Sequence, residues 1–201
     1  MKTNIKILVV LSFVLFGLFA FKSLETKKVI VIDAGHGGDD LGANIEGLQE
    51  KIITETIARK IKSQNKGGNL EIVLLREGDH FMELSERVSI INNLKPNLVI
   101  SLHVNSNSNI KANGVGAYVP SNKKLYDQSK EIAEIVVDKL ASTGNLKKRN
   151  ISEAPFYILK NSNFPAMTLE VGYLSNQNDR NYITSEKGQD EIAAKILEAV
   201  K

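Results

Sequence analysis

Val29-Ile-Val-Ile-Asp33 runs into the glycine loop Ala34-Gly-His-Gly-Gly38, and Leu48 to Lys62 then carries Ile52, Ile53, Ile57 and Ile61 at helical spacing. A β-branched run, a glycine loop and an amphipathic helix, in that order, make the opening unit of an α/β fold. The pattern continues outward from it. Glu71 to Arg76 reads as a strand, Leu84 to Leu94 as a helix, and Leu98 to His103 and Val115 to Val119 as strands. Leu125 to Ala141 reads as a helix with Ile132, Ile135, Val136 and Leu140 inward; Phe156 to Leu159 and Met167 to Val171 read as strands, and Glu186 to Val200 as the closing helix. This alternation predicts a single α/β domain with a mostly parallel central sheet of about six strands and helices on both faces. Gly67-Gly68 and Lys147-Lys148-Arg149 read as solvated turns.

The 201 residues suit one such domain plus a leader, and 42% hydrophobic with 24% charged residues is ordinary globular composition. Cysteine is absent, which excludes disulfides, thiol nucleophiles and Cys-ligated metals. The formal charge of +3 does not mark a nucleic-acid binder. Five of the 26 basic residues and one of the 23 acidic residues lie in residues 1–28, which leaves the body with 21 against 22. The leader pairs Lys2 and Lys6 with a mostly apolar run from Ile7 to Phe21, the pattern of an export signal. Ala20 could end it, but Leu18 is large for the second specificity position of a cleavage site, so a short N-terminal anchor is the alternative. Residues 1–28 are thus expected to be an export signal or anchor and residues 29–201 the folded domain. The protein is expected in the periplasmic or cell-wall space, touching the membrane only through an uncleaved leader.

In open α/β sheets the ligand site lies beyond the carboxyl ends of the strands. His36 follows the first strand, His103 ends the third with Asn105 and Ser106 behind it, and Glu170 lies near the end of the last. Glu50 opens the helix after the glycine loop. Two histidines and a carboxylate on one edge suit a divalent metal with an open position, zinc being the simplest occupant. Each residue has an ordinary alternative. A lone His after a strand is more often a satisfied loop residue, and Glu50 equally suits a helix N-terminus. Glu170, between Leu169 and Val171 in a buried strand, is costly unless paired or employed. His80, in the polar stretch Glu77-Gly-Asp-His80, reads as a surface loop residue.

The strings Ile30-Val-Ile-Asp-Ala-Gly-His-Gly-Gly-Asp-Asp-Leu-Gly-Ala43, Gly47-Leu-Gln-Glu-Lys51, Ser101-Leu-His-Val-Asn-Ser106 and Leu169-Glu-Val-Gly-Tyr-Leu-Ser-Asn176 resemble the zinc-dependent N-acetylmuramoyl-L-alanine amidases of the catalytic type 3 family. Leu75-Arg76, Leu84-Ser-Glu-Arg-Val88 and Pro155 to Ala166 match it in character, and the likeness runs from about Val29 to the C-terminus. Ala34 stands where the family usually has Pro, Gln49 where Lys is common and Val171 where Thr or Leu is usual; none of these removes a reactive group. The resemblance implies Zn2+ held by His36, Glu50 and His103, with Glu170 as the catalytic carboxylate. It further implies hydrolysis of the amide between the lactyl group of N-acetylmuramic acid and L-alanine in peptidoglycan. Asp33 and Asn105 are candidates for orienting an imidazole and the substrate.

Two rival readings remain at this level. One is a non-haem iron oxygenase, which expects a short His-x-Asp/Glu spacing on an all-β scaffold, whereas His36 and Glu50 lie fourteen residues apart. The other is a catalytically inactive or regulatory wall-binding protein of the same fold, which would be expected to have lost Glu170. Some longer relatives carry an inserted helix over the zinc. Here the connection Ser142 to Pro155 has too few apolar residues for such a plug, so no obligatory activator is expected.

Overall fold

A computed structural model describes residues 27–201, so all but the last two positions of the expected leader lie outside the described residues. Along the chain come β1 (Lys28–Ala34), β2 (Asn44–Ile45), β3 (Leu48–Gln49), α1 (Glu50–Gln64), β4 (Leu70–Leu74), α2 (Leu84–Leu94) and β5 (Leu98–Asn105). There follow β6 (Val115–Val119), α3 (Lys123–Ala141), β7 (Lys148–Glu153), α4 (Tyr157–Asn161), β8 (Ala166–Tyr173), α5 (Gln177–Thr184) and α6 (Glu186–Val200). The main sheet has six strands in the order β4-β1-β5-β8-β6-β7, and β2 with β3 forms a small separate hairpin. Every pairing in the main sheet is parallel except that of β6 with β8. The expected α/β class is borne out.

The β-branched runs are strands because their alternate side chains fill two cores. Ile30, Ile32, Leu98, Ile100 and Leu102 pack under α1, α3 and α6, whose Ile57, Val136 and Ile196 are fully buried. Val31 and Val99 point to the other face, against Val88 and Ile91 of α2 and Ile158 and Leu159 of α4. Helices therefore cover both faces. Because β1, β5 and β8 are neighbours with a common direction, their carboxyl ends open onto one edge of the molecule.

Four local expectations need correction. Phe156 to Leu159 is not a strand: Ile158 and Leu159 are both buried while Tyr157 is exposed, a helical pattern, and α4 starts there. Lys147 to Arg149 is no turn, for Lys148 opens β7, an almost wholly exposed edge strand held by its ladder to β6. Such a strand has no apolar alternation to betray it, and its charges suit a sheet edge. Ile135 is 42% exposed, and the buried stripe of α3 is instead Ala133, Val136, Val137 and Leu140. Helix α1 begins at Glu50 rather than Leu48, because Leu48 and Gln49 pair with Ile45 and Asn44. Helix α5 was not expected at all. It has one buried apolar residue, Ile183, but the Asn176 side chain caps it by accepting from the N–H groups of Asn178 and Asp179. Among the described residues no helix is long and apolar enough to cross a membrane.

Candidate active site

Glu50 is the first residue of α1, where the helix dipole favours an anion, and it is 96% shielded from solvent, at 4% exposure. Two backbone N–H groups fix its carboxylate: Val104 donates to Oε1 at 2.9 Å and Ala43 to Oε2 at 2.8 Å. The same two oxygens each meet an imidazole. His103 Nδ1 lies 2.9 Å from Oε1, and His36 Nε2 lies 3.2 Å from Oε2. The far side of the His36 ring is held by Asp40, whose Oδ2 is 2.8 Å from Nδ1.

This set fits a metal. The three donor groups have ligand atoms within 4.8 Å of one another. Ligands of a tetrahedral zinc at roughly 2.0–2.1 Å stand about 3.3 Å apart, so the three donor atoms need only draw together slightly around an ion. Imidazole nitrogens and one carboxylate are the donors zinc takes where a position is left open. Without a metal, protons do the bridging. Burial alone would favour a neutral His36, but the hydrogen bonds and charges of Glu50 and Asp40 outweigh it and push its pKa up to about 9. Burial would likewise raise Glu50, yet His103 and His36 overrule it and hold its carboxyl well below the usual carboxylate range.

His36 reaches this position through a left-handed backbone, with φ of 63°, which is uncommon for a residue with a side chain. Two buried guanidinium groups impose it. Arg76, at 1% exposure, donates to the carbonyls of Ala34, Gly35 and His36 at 3.0–3.2 Å and pairs with Glu55. Arg87 donates to the carbonyls of Ala34 at 2.8 Å and His36 at 2.7 Å and pairs with Asp33. Three consecutive carbonyls thus converge on two cations, and the imidazole is turned outward.

Glu170 sits opposite His103 in the β5–β8 register. It lines the same cleft as His36, Glu50 and His103, and its Oε2 is buried with no hydrogen-bond partner. Burial and the charge of Glu50, against the opposing pull of the two histidines, push its pKa up to about 7. A carboxyl poised there can accept and return a proton near neutral pH.

All four expected residues, His36, Glu50, His103 and Glu170, therefore meet in one cleft, and His80 is exposed in a loop. Asn105 lines that cleft too. Asp33 does not orient an imidazole: its carboxylate accepts from Arg87 and from the Ser101 hydroxyl at 2.7 Å. The residue that does so is Asp40, and its sign in the sequence was a carboxylate four residues after His36 in the same loop. The roles of Arg76 and Arg87 were also missed. An arginine closing the apolar run Ile72-Val-Leu-Leu-Arg76 and one beside Val88 in the amphipathic helix Leu84 to Leu94 were the available signals.

A family model described as N-acetylmuramoyl-L-alanine amidase matches residues 30–201. The chain belongs to this amidase family. It is 31% identical over 205 residues to a putative N-acetylmuramoyl-L-alanine amidase of Buchnera aphidicola, covering 86% of this chain and 94% of that protein. A crystal structure of an N-acetylmuramoyl-L-alanine amidase from Clostridium difficile 630 superposes with a TM-score of 0.82 at 30% identity, covering 87% of this chain and 95% of the other. The catalytic domain of CwlV, an N-acetylmuramoyl-L-alanine amidase from Paenibacillus polymyxa, gives 0.79 at 35% identity over 86% and 96%. The amidase fold and the hydrolase class are thus those of this chain.

Gly42 offers a sharp test of the geometry. Its φ is +64°, and a Cβ there would stand 2.5 Å from Glu50 Oε2 and 2.6 Å from the His36 ring. Gly47 has a similar φ of +81° with nothing within 4 Å of its Cβ position. Gly47→Ala should cost about 1–2 kcal/mol in urea denaturation from backbone strain, and Gly42→Ala at least as much because its Cβ also displaces Glu50 and His36. Only Gly42→Ala should weaken binding in a zinc titration, by about tenfold or more. Equal zinc affinity in the two variants would contradict the arrangement.

Proposed function

We propose that the chain is a zinc-dependent hydrolase of the amide between the lactyl group of N-acetylmuramic acid and the L-alanine of the peptidoglycan stem peptide. His36, Glu50 and His103 are the ligands, and Glu170 is the catalytic carboxylate. The observation that carries this reading is a His-Glu-His cluster sharing one cleft with an unpartnered, buried carboxyl oxygen. When bound, zinc supplies a water of lowered pKa and a Lewis acid for the carbonyl. Asp40 and the backbone donors of Ala43 and Val104 keep the donor atoms in register. Glu170 takes a proton from the attacking water at Oε2 and gives it to the departing amine as the C–N bond breaks. Phe81, Leu84, Phe156 and Tyr157, all substantially exposed, line this cleft, an apolar wall suited to the faces of sugar rings.

The reading includes an open site. The side chains of His36 and His103 keep 23% and 26% exposure, and β6 to β8 are joined by α3, β7 and α4 with no further helix among the described residues. Activity without a partner protein follows from this. Export follows from the Ile7 to Phe21 run.

Mass spectrometry of purified peptidoglycan after digestion by zinc-loaded residues 29–201 should find free stem peptides beginning with L-alanine together with peptide-free glycan, with no other protein added. His36→Ala and His103→Ala should lose zinc and turnover together. Glu170→Gln should keep zinc and lose turnover by roughly 10²–10⁴-fold, since the amide keeps the shape but cannot accept the proton. Undiminished release by Glu170→Gln would remove it from the mechanism, and zinc-loaded protein inert until another protein is added would overturn the open site. Cell fractionation should find the protein outside the cytoplasm; full-length protein soluble in the cytoplasm would refute export.

A further inference from the structure

A second cleft of about 420 Å³ lies on the other side of Glu170 from the His36–His103 cluster, between β8, β6 and the edge strand β7. Glu170 and Asn105 line both clefts and form the saddle between them. The two clefts differ in character. The cleft around the imidazoles has the apolar wall, whereas this one is lined by Lys111, Lys147, Lys148 and Arg149, and Glu170 is its only acidic residue. That concentration of positive charge stands on a body whose charges balance as a whole.

The cations differ in how far they are already committed. Lys148 pairs with Asp138 of α3. Lys111 and Lys147 take no salt-bridge partner among the described residues. Arg149 is positioned: its guanidinium stacks 5.1 Å from the ring centre of the buried Tyr173, and Nη1 donates to the Asn113 carbonyl at 3.2 Å. A guanidinium held this way keeps the rest of its planar donor fork for a carboxylate, at little further entropy cost.

We propose that Lys111, Lys147 and Arg149 form a carboxylate-binding subsite that holds the peptide leaving group, so that the substrate lies across the Glu170 saddle with glycan on the imidazole side and peptide on the basic side. The proposal rests on the amidase reading above and adds the direction of the substrate and a preference within it. The direction follows from the proton's path. A group that protonates the departing amine stands beside the amide nitrogen, so the chain attached to that nitrogen continues past Glu170, away from the imidazole cluster. The preference follows from charge. The residue after L-alanine in the stem is a D-glutamate linked through its side chain, which leaves an α-carboxylate free, or capped as a carboxamide in amidated walls. The basic cleft selects the free acid.

The test compares a muramoyl tripeptide bearing the free α-carboxylate with its α-carboxamide counterpart, using the full-length chain. The carboxylate substrate should be favoured about tenfold in kcat/KM, and raising the salt to about 0.5 M should remove most of that preference. Arg149→Gln and Lys147→Gln should each abolish most of it through KM, whereas Lys66→Gln, outside the cleft, should retain it. Equal kcat/KM for the two substrates, or a preference surviving both variants, would overturn the subsite. Should the wild type cleave neither substrate, the amidase reading fails, and calorimetry with the two free stem peptides still decides the subsite. Tighter binding of the acid, lost in Arg149→Gln, supports it; equal binding overturns it.

Discussion

The candidate site depends on two buried arginines holding three consecutive carbonyls. Arg76 comes from the end of the strand region after β4 and Arg87 from α2, and they meet over Ala34, Gly35 and His36. Each has a carboxylate partner, Glu55 for Arg76 and Asp33 for Arg87, so neither buried charge is left uncompensated. Removing one member of such a pair costs on the order of 3–5 kcal/mol, because the other charge stays buried alone. The donors also neutralise carbonyls that a left-handed turn turns away from any β-ladder. The fold thereby supports a backbone conformation at His36 that would otherwise relax, and the imidazole is aimed before any metal arrives.

The rest of the cluster follows from where the strands end. β5 brings His103, β8 brings Glu170 into register beside it, and α1 starts at Glu50 so that one carboxylate faces both imidazoles. Asymmetry between the two glutamates gives them different capacities. Glu50 is held by two backbone N–H groups and two imidazoles and stays ionised; Glu170 has no such partner at Oε2 and its pKa is pushed up to about 7. Two carboxylates in one cleft are thereby divided between holding charge and moving a proton. An unpartnered buried carboxyl oxygen costs roughly 1–3 kcal/mol, and Glu170 lines the cleft that also holds the two imidazoles.

Much of this was legible in the residues, and what was not has a physical cause. The β-branched runs of β1 and β5, the helix from Leu84 to Leu94 and the helix from Glu186 to Val200 carry their own hydrophobic period and lie where that period puts them. His36, Glu50, His103 and Glu170 were identifiable as polar residues just past strand ends or at a helix start. Elements without a period were lost: β7 is exposed on both faces, and α5 rests on a cap rather than a stripe. The five-residue α4 was misread because a run as short as Phe156 to Leu159 suits a strand or a single helical turn equally well. The Arg76 and Arg87 clamp was hidden for a different reason, since its contacts join segments 40 or more residues apart. Asp33 is a candidate for orienting an imidazole on the sequence alone, yet its side chain turns to Arg87 and Ser101.

We propose that His36, Glu50 and His103 form a metal site whose donor groups are already gathered without the ion. A pH titration of the imidazole nitrogens by NMR, run on the chelated and the zinc-loaded protein, tests it most directly. His36 should titrate near pH 9 without zinc, well above an ordinary histidine, and zinc should suppress its protonation across the neutral range. A His36 that titrates between about pH 6 and 7 in both samples, unmoved by zinc, would contradict it.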